Sequence, residues 1–145
     1  MLLYGGGNYF LDYLGNTKCF LIYDKKQPQG VSFASCEFAW TSFDSVAKTF
    51  YYSPMQIKDR IHSCQKPIEL YSWILDNYAK EGDKIFDPFL GSGSSRIAVY
   101  MKDLDFYGCE LDKEYFDAQE ERFRKECLGE IKSDSGKIIK QLELF

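Results

Sequence analysis

Apolar and polar positions along the chain fall into two regimes. In the first part, apolar residues come in short runs. Cys19-Phe20-Leu21-Ile22-Tyr23 is continuous and stops at Asp24, the pattern of a strand buried on both faces. Cys36-Glu37-Phe38-Ala39-Trp40-Thr41-Ser42-Phe43 alternates well enough to form another strand. Met1-Leu2-Leu3-Tyr4 reads as the tail of a strand and runs straight into a Gly5-Gly6-Gly7-Asn8 turn. Between these pieces, residues 25–31 form a loop with Pro28 and Gly30. Residues 44–61 have no clear period and predict a surface connection, partly stranded around Phe50-Tyr51-Tyr52.

From Pro67 the period changes. Pro67 suits the first position of a helix, and Ile68, Leu70, Tyr71, Trp73, Ile74, Leu75 and Tyr78 mark its apolar face. Glu81-Gly82-Asp83 ends that helix, and Lys84-Ile85-Phe86-Asp87 is a short strand. A Gly/Ser loop over 88–93 leads into a helix over 94–101. Phe106-Tyr107-Gly108-Cys109-Glu110 is the next strand, and residues 112–128 form an amphipathic helix. Strand, glycine loop, helix, strand and helix in that order predict a βαβ unit of a doubly wound parallel sheet. Residues 129–140 are polar and predict a frayed segment. The chain thus divides into a domain over 1–128 and a tail over 129–145.

The loop carries the chemistry. At the carboxyl end of a parallel strand, glycines let a backbone approach a ligand and feed a helix whose first turn favours negative charge. Glu110, at the tip of the following strand, can accept from both hydroxyls of a ribose. Gly91-Ser92-Gly93-Ser94-Ser95-Arg96 lacks the third glycine of a dinucleotide fingerprint, and no GxxxxGK[ST] phosphate loop is present. A nucleoside ligand without a phosphate, with Asp87 facing its amino-acid part, suits the loop better.

Composition narrows the picture further. Of 145 residues, 45% are hydrophobic and 17% aromatic, which fits a packed domain and leaves core packing and base stacking both open for the aromatics. The net charge of −4 excludes a broad basic DNA-binding face, so contact with nucleic acid must come from a local patch, for which Lys48, Lys58 and Arg60 are the candidates. Cys19, Cys36, Cys64, Cys109 and Cys127 form no CxxC pair, against a disulfide framework or a structural zinc site and consistent with reduced thiols in the cytoplasm; no metal is expected. Neither an apolar run of about 18 residues nor a basic-then-apolar leader occurs.

Phe86-Asp87-Pro88-Phe89-Leu90-Gly91-Ser92-Gly93-Ser94 resembles the S-adenosylmethionine loop of DNA methyltransferases that act on exocyclic amino groups of adenine or cytosine. Gly108-Cys109-Glu110-Leu111-Asp112 with Tyr115 is similar to the acidic motif that follows it. His62-Ser63-Cys64-Gln65-Lys66-Pro67 resembles the His-Pro-Thr-Gln-Lys-Pro segment of the permuted beta subclass, with Ser63 and Cys64 departing from its Pro-Thr. Gly6-Gly7-Asn8-Tyr9-Phe10 and 36–41 are similar to segments of phage and prophage members. The resemblance implies a three-layer αβα, Rossmann-like, circularly permuted fold that binds S-adenosyl-L-methionine. It implies Asp87, Pro88, Phe89, Gly91, Ser92 and Gly93 at the methionine and backbone side, Glu110 at the ribose, and His62, Gln65, Lys66 and Pro67 lining the site. Lys66 suits a ligand contact or a salt bridge equally, and His62 suits a structural role at a loop-to-helix junction. Double-stranded DNA, with adenine the more expected target, is the implied substrate.

That family catalyses transfer with an Asp/Asn/Ser-Pro-Pro-aromatic tetrapeptide. The four prolines here, at 28, 54, 67 and 88, include no adjacent pair. In the permuted order the tetrapeptide would fall before Met1, so the sequence predicts a cofactor-binding portion, without its catalytic strand, that is inactive alone. Such a portion is a fragment, a module completed by a partner or second copy that carries the missing segment, or a non-catalytic binder of cofactor or DNA. Finally, Gln141-Leu142-Glu143-Leu144-Phe145 resembles the short peptide with which bacterial proteins dock into the replication sliding clamp, Gln141, Leu142, Leu144 and Phe145 being its anchors.

Overall fold

A computed structural model of the chain describes residues 1–28, 30–132 and 138–140. The clamp-like peptide 141–145 lies outside the described residues. The chain divides into two units, Met1–Lys58 and a second one from Asp59 onward.

The first unit holds β1 (Leu3–Gly5), β2 (Phe20–Asp24), β3 (Cys36–Thr41) and β4 (Lys48–Tyr51), in the spatial order β1-β3-β2-β4. β3 runs antiparallel to both β1 and β2, and only β2 and β4 pair in parallel. The sheet of this unit is therefore mixed, whereas the parallel βαβ unit expected from the sequence falls on residues 84–128. The reason is local: Lys25 N–H donates to the Ser35 carbonyl at 2.9 Å, closing loop 25–35 so that Asp24 meets Cys36 as a hairpin partner. In β2, Leu21 and Tyr23 are buried while Phe20 and Ile22 are half-buried, so the continuous apolar run has one dominant face. Trp40 sits in this core, its indole N–H donating to the Gly15 carbonyl at 2.8 Å. Gly7 lies so close to it that a Cβ would stand 2.5 Å from the Trp40 Cβ, which is why the glycine run cannot carry a side chain there.

The second unit contains α1 (Ile68–Tyr78), β5 (Lys84–Asp87), α2 (Ser94–Met101), β6 (Asp105–Gly108) and α3 (Lys113–Leu128). β5 and β6 pair in parallel from Lys84↔Asp105 to Asp87↔Gly108, with α2 as the crossover, as the sequence pattern predicts. Leu75, Ala98 and Val99 form the core, and Ile68, Tyr71, Ile85, Leu104 and Phe106 pack on it. α3 starts at Asp112, whose carboxylate accepts from the Glu114 and Tyr115 amides, and stops at Gly129 with φ 62°. Beyond it, β7 (Glu130–Lys132) and β8 (Ile138–Lys140) pair antiparallel. The fraying predicted after residue 128 is thus replaced at those positions by a short ladder in the register Glu130↔Lys140, Ile131↔Ile139 and Lys132↔Ile138, whose backbone groups satisfy one another.

No helix among the described residues is long and apolar enough to cross a membrane.

Candidate nucleoside site

β5 and β6 end side by side, and that register brings the loop and the acid together. Past the last paired residues, Cys109 N–H donates to the Asp87 carbonyl at 3.1 Å, and Leu90 N–H donates to the Cys109 carbonyl at 3.1 Å. The loop is thereby laced to the strand that delivers Glu110. Gly91 (φ 50°) and Gly93 (φ 72°) supply the two left-handed turns that reverse the chain into α2. Gly93 N–H donates to the Leu90 carbonyl at 2.8 Å, closing the bend.

Glu110 sits at the centre. One carboxylate oxygen accepts from Gly91 N–H at 2.7 Å, and the other accepts from Asp112 N–H at 3.0 Å. The Asp112 and Gly91 amides, in that order of weight, hold its carboxyl below the ordinary value of 4.5, against a small opposing push from burial. Glu110 is therefore an acceptor-only anion at neutral pH. The Leu111 amide adds a weaker contribution of the same sign, and a carboxylate, with about four lone-pair sites, keeps acceptor capacity for a ligand donor beyond these three amides.

Asp87 organises the loop from inside. Its Oδ1 accepts from Phe89 N–H at 3.0 Å, and its Oδ2 accepts from the Ser95 hydroxyl at 2.5 Å. Pro88 and Phe89 project outward, Phe89 being 83% exposed. Ser92 and Gly93 are buried behind the bend.

The segment 62–67 lies against the same loop. The His62 ring approaches where a Gly91 side chain would stand, at 3.9 Å from an ideal Cβ, and packs on Tyr115 with ring centroids 4.3 Å apart. His62 Nδ1 accepts from Cys64 N–H at 3.0 Å, a structural bond at the loop-to-helix junction. Lys66 Nζ donates to the Cys64 carbonyl at 3.3 Å, and the Lys66 carbonyl accepts from the Ser94 hydroxyl at 2.8 Å. Pro67 is the residue capping α1, one position ahead of the first helical residue. Gln65 is buried: its Oε1 accepts from Ile61 N–H at 3.0 Å, while its Nε2 has no hydrogen-bond partner among the described residues. A buried amide donor left this way costs free energy unless something else meets it.

Lys48 is half-buried on β4 in the first unit, Lys58 is exposed at that unit's end, and Arg60 is exposed in the second unit. A shallow cleft of about 370 Å³, lined by Leu75, Asp76, Ala79, Lys80, Lys102 and Leu104 among others, lies at the amino ends of β5 and β6 and touches none of the motif residues.

Sequence reasoning missed the side of the site that α3 builds. Gln119, fully buried, backs onto Gly93, where an added Cβ would meet its Oε1 at 3.0 Å. Arg122 donates to the Ser92 carbonyl and to the Ser94 hydroxyl, both at 2.9 Å. A signal was present: Tyr115, Gln119 and Arg122 are spaced i, i+4, i+7 and so share one helix face.

Comparison with known proteins follows the same lines. The family described as DNA methylase matches residues 15–121. The chain is 34% identical over 64 residues to the type II methyltransferase M2.MboI of Moraxella bovis, covering 44% of this chain and 23% of that protein. It is 37% identical over 65 residues to the type II methyltransferase M2.DpnII of Streptococcus pneumoniae, covering 45% and 24%. The chain thus spans about a quarter of the length of these curated relatives. In structure it resembles M1.HpyAVI in complex with SAM, with a TM-score of 0.57 at 22% identity over 72% of this chain and 60% of the other. It also resembles the Thermus thermophilus protein TTHA0409 complexed with S-adenosyl-L-methionine, with a TM-score of 0.55 at 20% identity over 79% of this chain and 55% of the other. The fold is accordingly the Rossmann-like α/β fold of these proteins.

Proposed function

This chain belongs to the DNA methylase family, and from that premise we propose that its 87–93 loop and Glu110 bind S-adenosyl-L-methionine for methylation of an exocyclic amino group in double-stranded DNA, adenine before cytosine. The observation that carries the reading is the Glu110 carboxylate, fixed just past β6 by backbone amides so that its two oxygens stand as a pair of acceptors beside the bend. Two vicinal ribose hydroxyls are donors that match that pair.

Other features fit the same ligand. Adenosylmethionine carries no phosphate, and the bend uses its Gly91 and Gly93 amides internally, so they are not offered to a pyrophosphate. The orphaned Gln65 Nε2 suits an amino-acid carboxylate as its acceptor. Phe89 gives an exposed ring beside the bend, His62 approaches the bend at Gly91, and Lys66 and Pro67 follow it on the same segment. When bound, the group supplies a methyl on a sulfonium, an electrophile that needs no activation by the protein. What the chain's own residues do is hold that group and exclude a dinucleotide.

Transfer requires more. An aromatic amino nitrogen has its lone pair delocalised into the ring, and fixed acceptors must draw it toward tetrahedral geometry. None of the four prolines is adjacent to another, so this chain alone binds cofactor without turning over. The same observation favours a second reading, a split-enzyme or non-catalytic module that binds S-adenosylmethionine or DNA. On either reading Lys48, Lys58 and Arg60 are the residues proposed to meet DNA phosphates and 141–145 is proposed to dock on the sliding clamp, while for a split enzyme a homodimer or a partner supplies the catalytic segment.

Parallel calorimetric titrations with adenosylmethionine and NAD test the proposal. Saturable 1:1 binding of adenosylmethionine alone supports it; binding of NAD in its place overturns it.

A further inference from the structure

Ser94 joins three parts of the site through one buried hydroxyl. It is 2% exposed, and it has one proton and two lone pairs. The proton goes to the Lys66 carbonyl at 2.8 Å. The oxygen accepts from Arg122 Nη1 at 2.9 Å and faces the Ser92 hydroxyl at 3.2 Å. Since Ser94 has no second proton, Ser92 is the donor in that last contact. Every valence of the hydroxyl is filled.

Arg122 is the charged member of this junction. Its Nη1 also donates to the Ser92 carbonyl at 2.9 Å, inside the bend, and its Nε donates to Glu126 at 2.7 Å, one turn along α3. Only 10% of the side chain is exposed. A guanidinium held in a plane by a neighbouring carboxylate and aimed at one carbonyl and one hydroxyl is a fixed fork.

We infer that Arg122 is a positioning residue that, through Ser94, locks the Gly91–Gly93 bend and the 62–67 segment into one arrangement. The bend decides where the Gly91 amide stands, and that amide holds one Glu110 oxygen. The Lys66 carbonyl fixes the strand of chain that carries Gln65. Arg122 thereby sets the distance between the two groups that would grip opposite ends of the ligand, without touching the ligand itself. As to the ligand, the inference rests on the adenosylmethionine reading; as to the backbone, it rests on these hydrogen bonds.

The test pairs an apo measurement with a binding one. In Arg122→Met and in Ser94→Ala, hydrogen exchange at the Gly91 and Gly93 amides is followed against Val99 in the core of α2, and adenosylmethionine affinity is measured by calorimetry. Expected are at least tenfold faster exchange in the bend with Val99 changed less than twofold, about tenfold weaker binding in each variant, partial recovery in Arg122→Lys, and a double variant no weaker than the worse single one by more than twofold. Bend exchange and affinity within twofold of the parent in Ser94→Ala, which removes only one oxygen, overturn the inference, as do fully additive losses. If the parent fails to bind adenosylmethionine while the bend still loosens, the proposed function falls and the positioning role stands.

Discussion

Gly91 N–H lies 2.7 Å from the Glu110 carboxylate, across nineteen positions of sequence. The contact ties the bend after β5 to the tip of β6, so the shape of the loop and the charge of the acid are set together. That coupling can be probed from either side.

Acidity provides the first probe. The folded carboxyl of Glu110 titrates below its ordinary value of 4.5, so its contribution is present above that value and is lost as pH falls through the lower, folded one. Adenosylmethionine affinity should be flat from neutral pH down to the ordinary carboxyl value of 4.5 and decline only below it. A Glu110→Gln variant should show no such decline, which calorimetry across the pH series would reveal.

Three glycines should rank by what a methyl group meets. At Gly108 an added Cβ would stand 2.9 Å from the Phe106 ring and 3.0 Å from both the Asp87 carbonyl and Leu90. At Gly93 it would meet Gln119 at 3.0 Å with φ 72°, whereas at Gly91 the nearest atoms are 3.9 Å away. Gly91→Ala should cost only the left-handed strain, about 1–2 kcal/mol. Thermal melts should place Gly93→Ala below it and Gly108→Ala at or below Gly93→Ala.

Gln65→Glu keeps an acceptor for Ile61 N–H but removes the orphaned donor and brings a carboxyl into its place. The proposed ligand carboxylate would then face an acceptor or an anion. Binding should weaken by at least about tenfold, the loss of one charge-assisted hydrogen bond. An affinity equal to the parent's would separate Gln65 from the ligand.

Ile97 is fully buried in α2, and its amide donates to the Gly93 carbonyl at 3.0 Å. Ile97→Ala should lower stability by about 2–5 kcal/mol in chemical denaturation, through lost transfer energy and a residual cavity. Transfer of labelled methyl to DNA by this chain alone should stay at background before and after the change.

Much of this was legible in the residues, and the exceptions have physical causes. The βαβ unit announced itself because its helices have a 3.6 period and its loop has glycines where φ turns positive. Gly91 and Glu110 could be paired because the spacing of one βα unit brings the tips of neighbouring strands together. The antiparallel course of β3 was hidden, since the period of a strand is the same in either direction. Arg122 and Gln119 share a helix face with Tyr115, which the spacing alone could show, but that the Arg122 guanidinium folds back onto a loop carbonyl is visible only in the structure. Gln65 was placed in the site by resemblance, but its unmet amide hydrogen could be seen only once its neighbours were in place.

The most direct measurement is the adenosylmethionine dissociation constant of the parent chain beside that of Glu110→Gln at neutral pH. The account predicts measurable 1:1 binding by the parent and a loss of at least about tenfold in the variant, as charge-assisted bonds to both hydroxyls weaken. Equal affinities in the two proteins would contradict it.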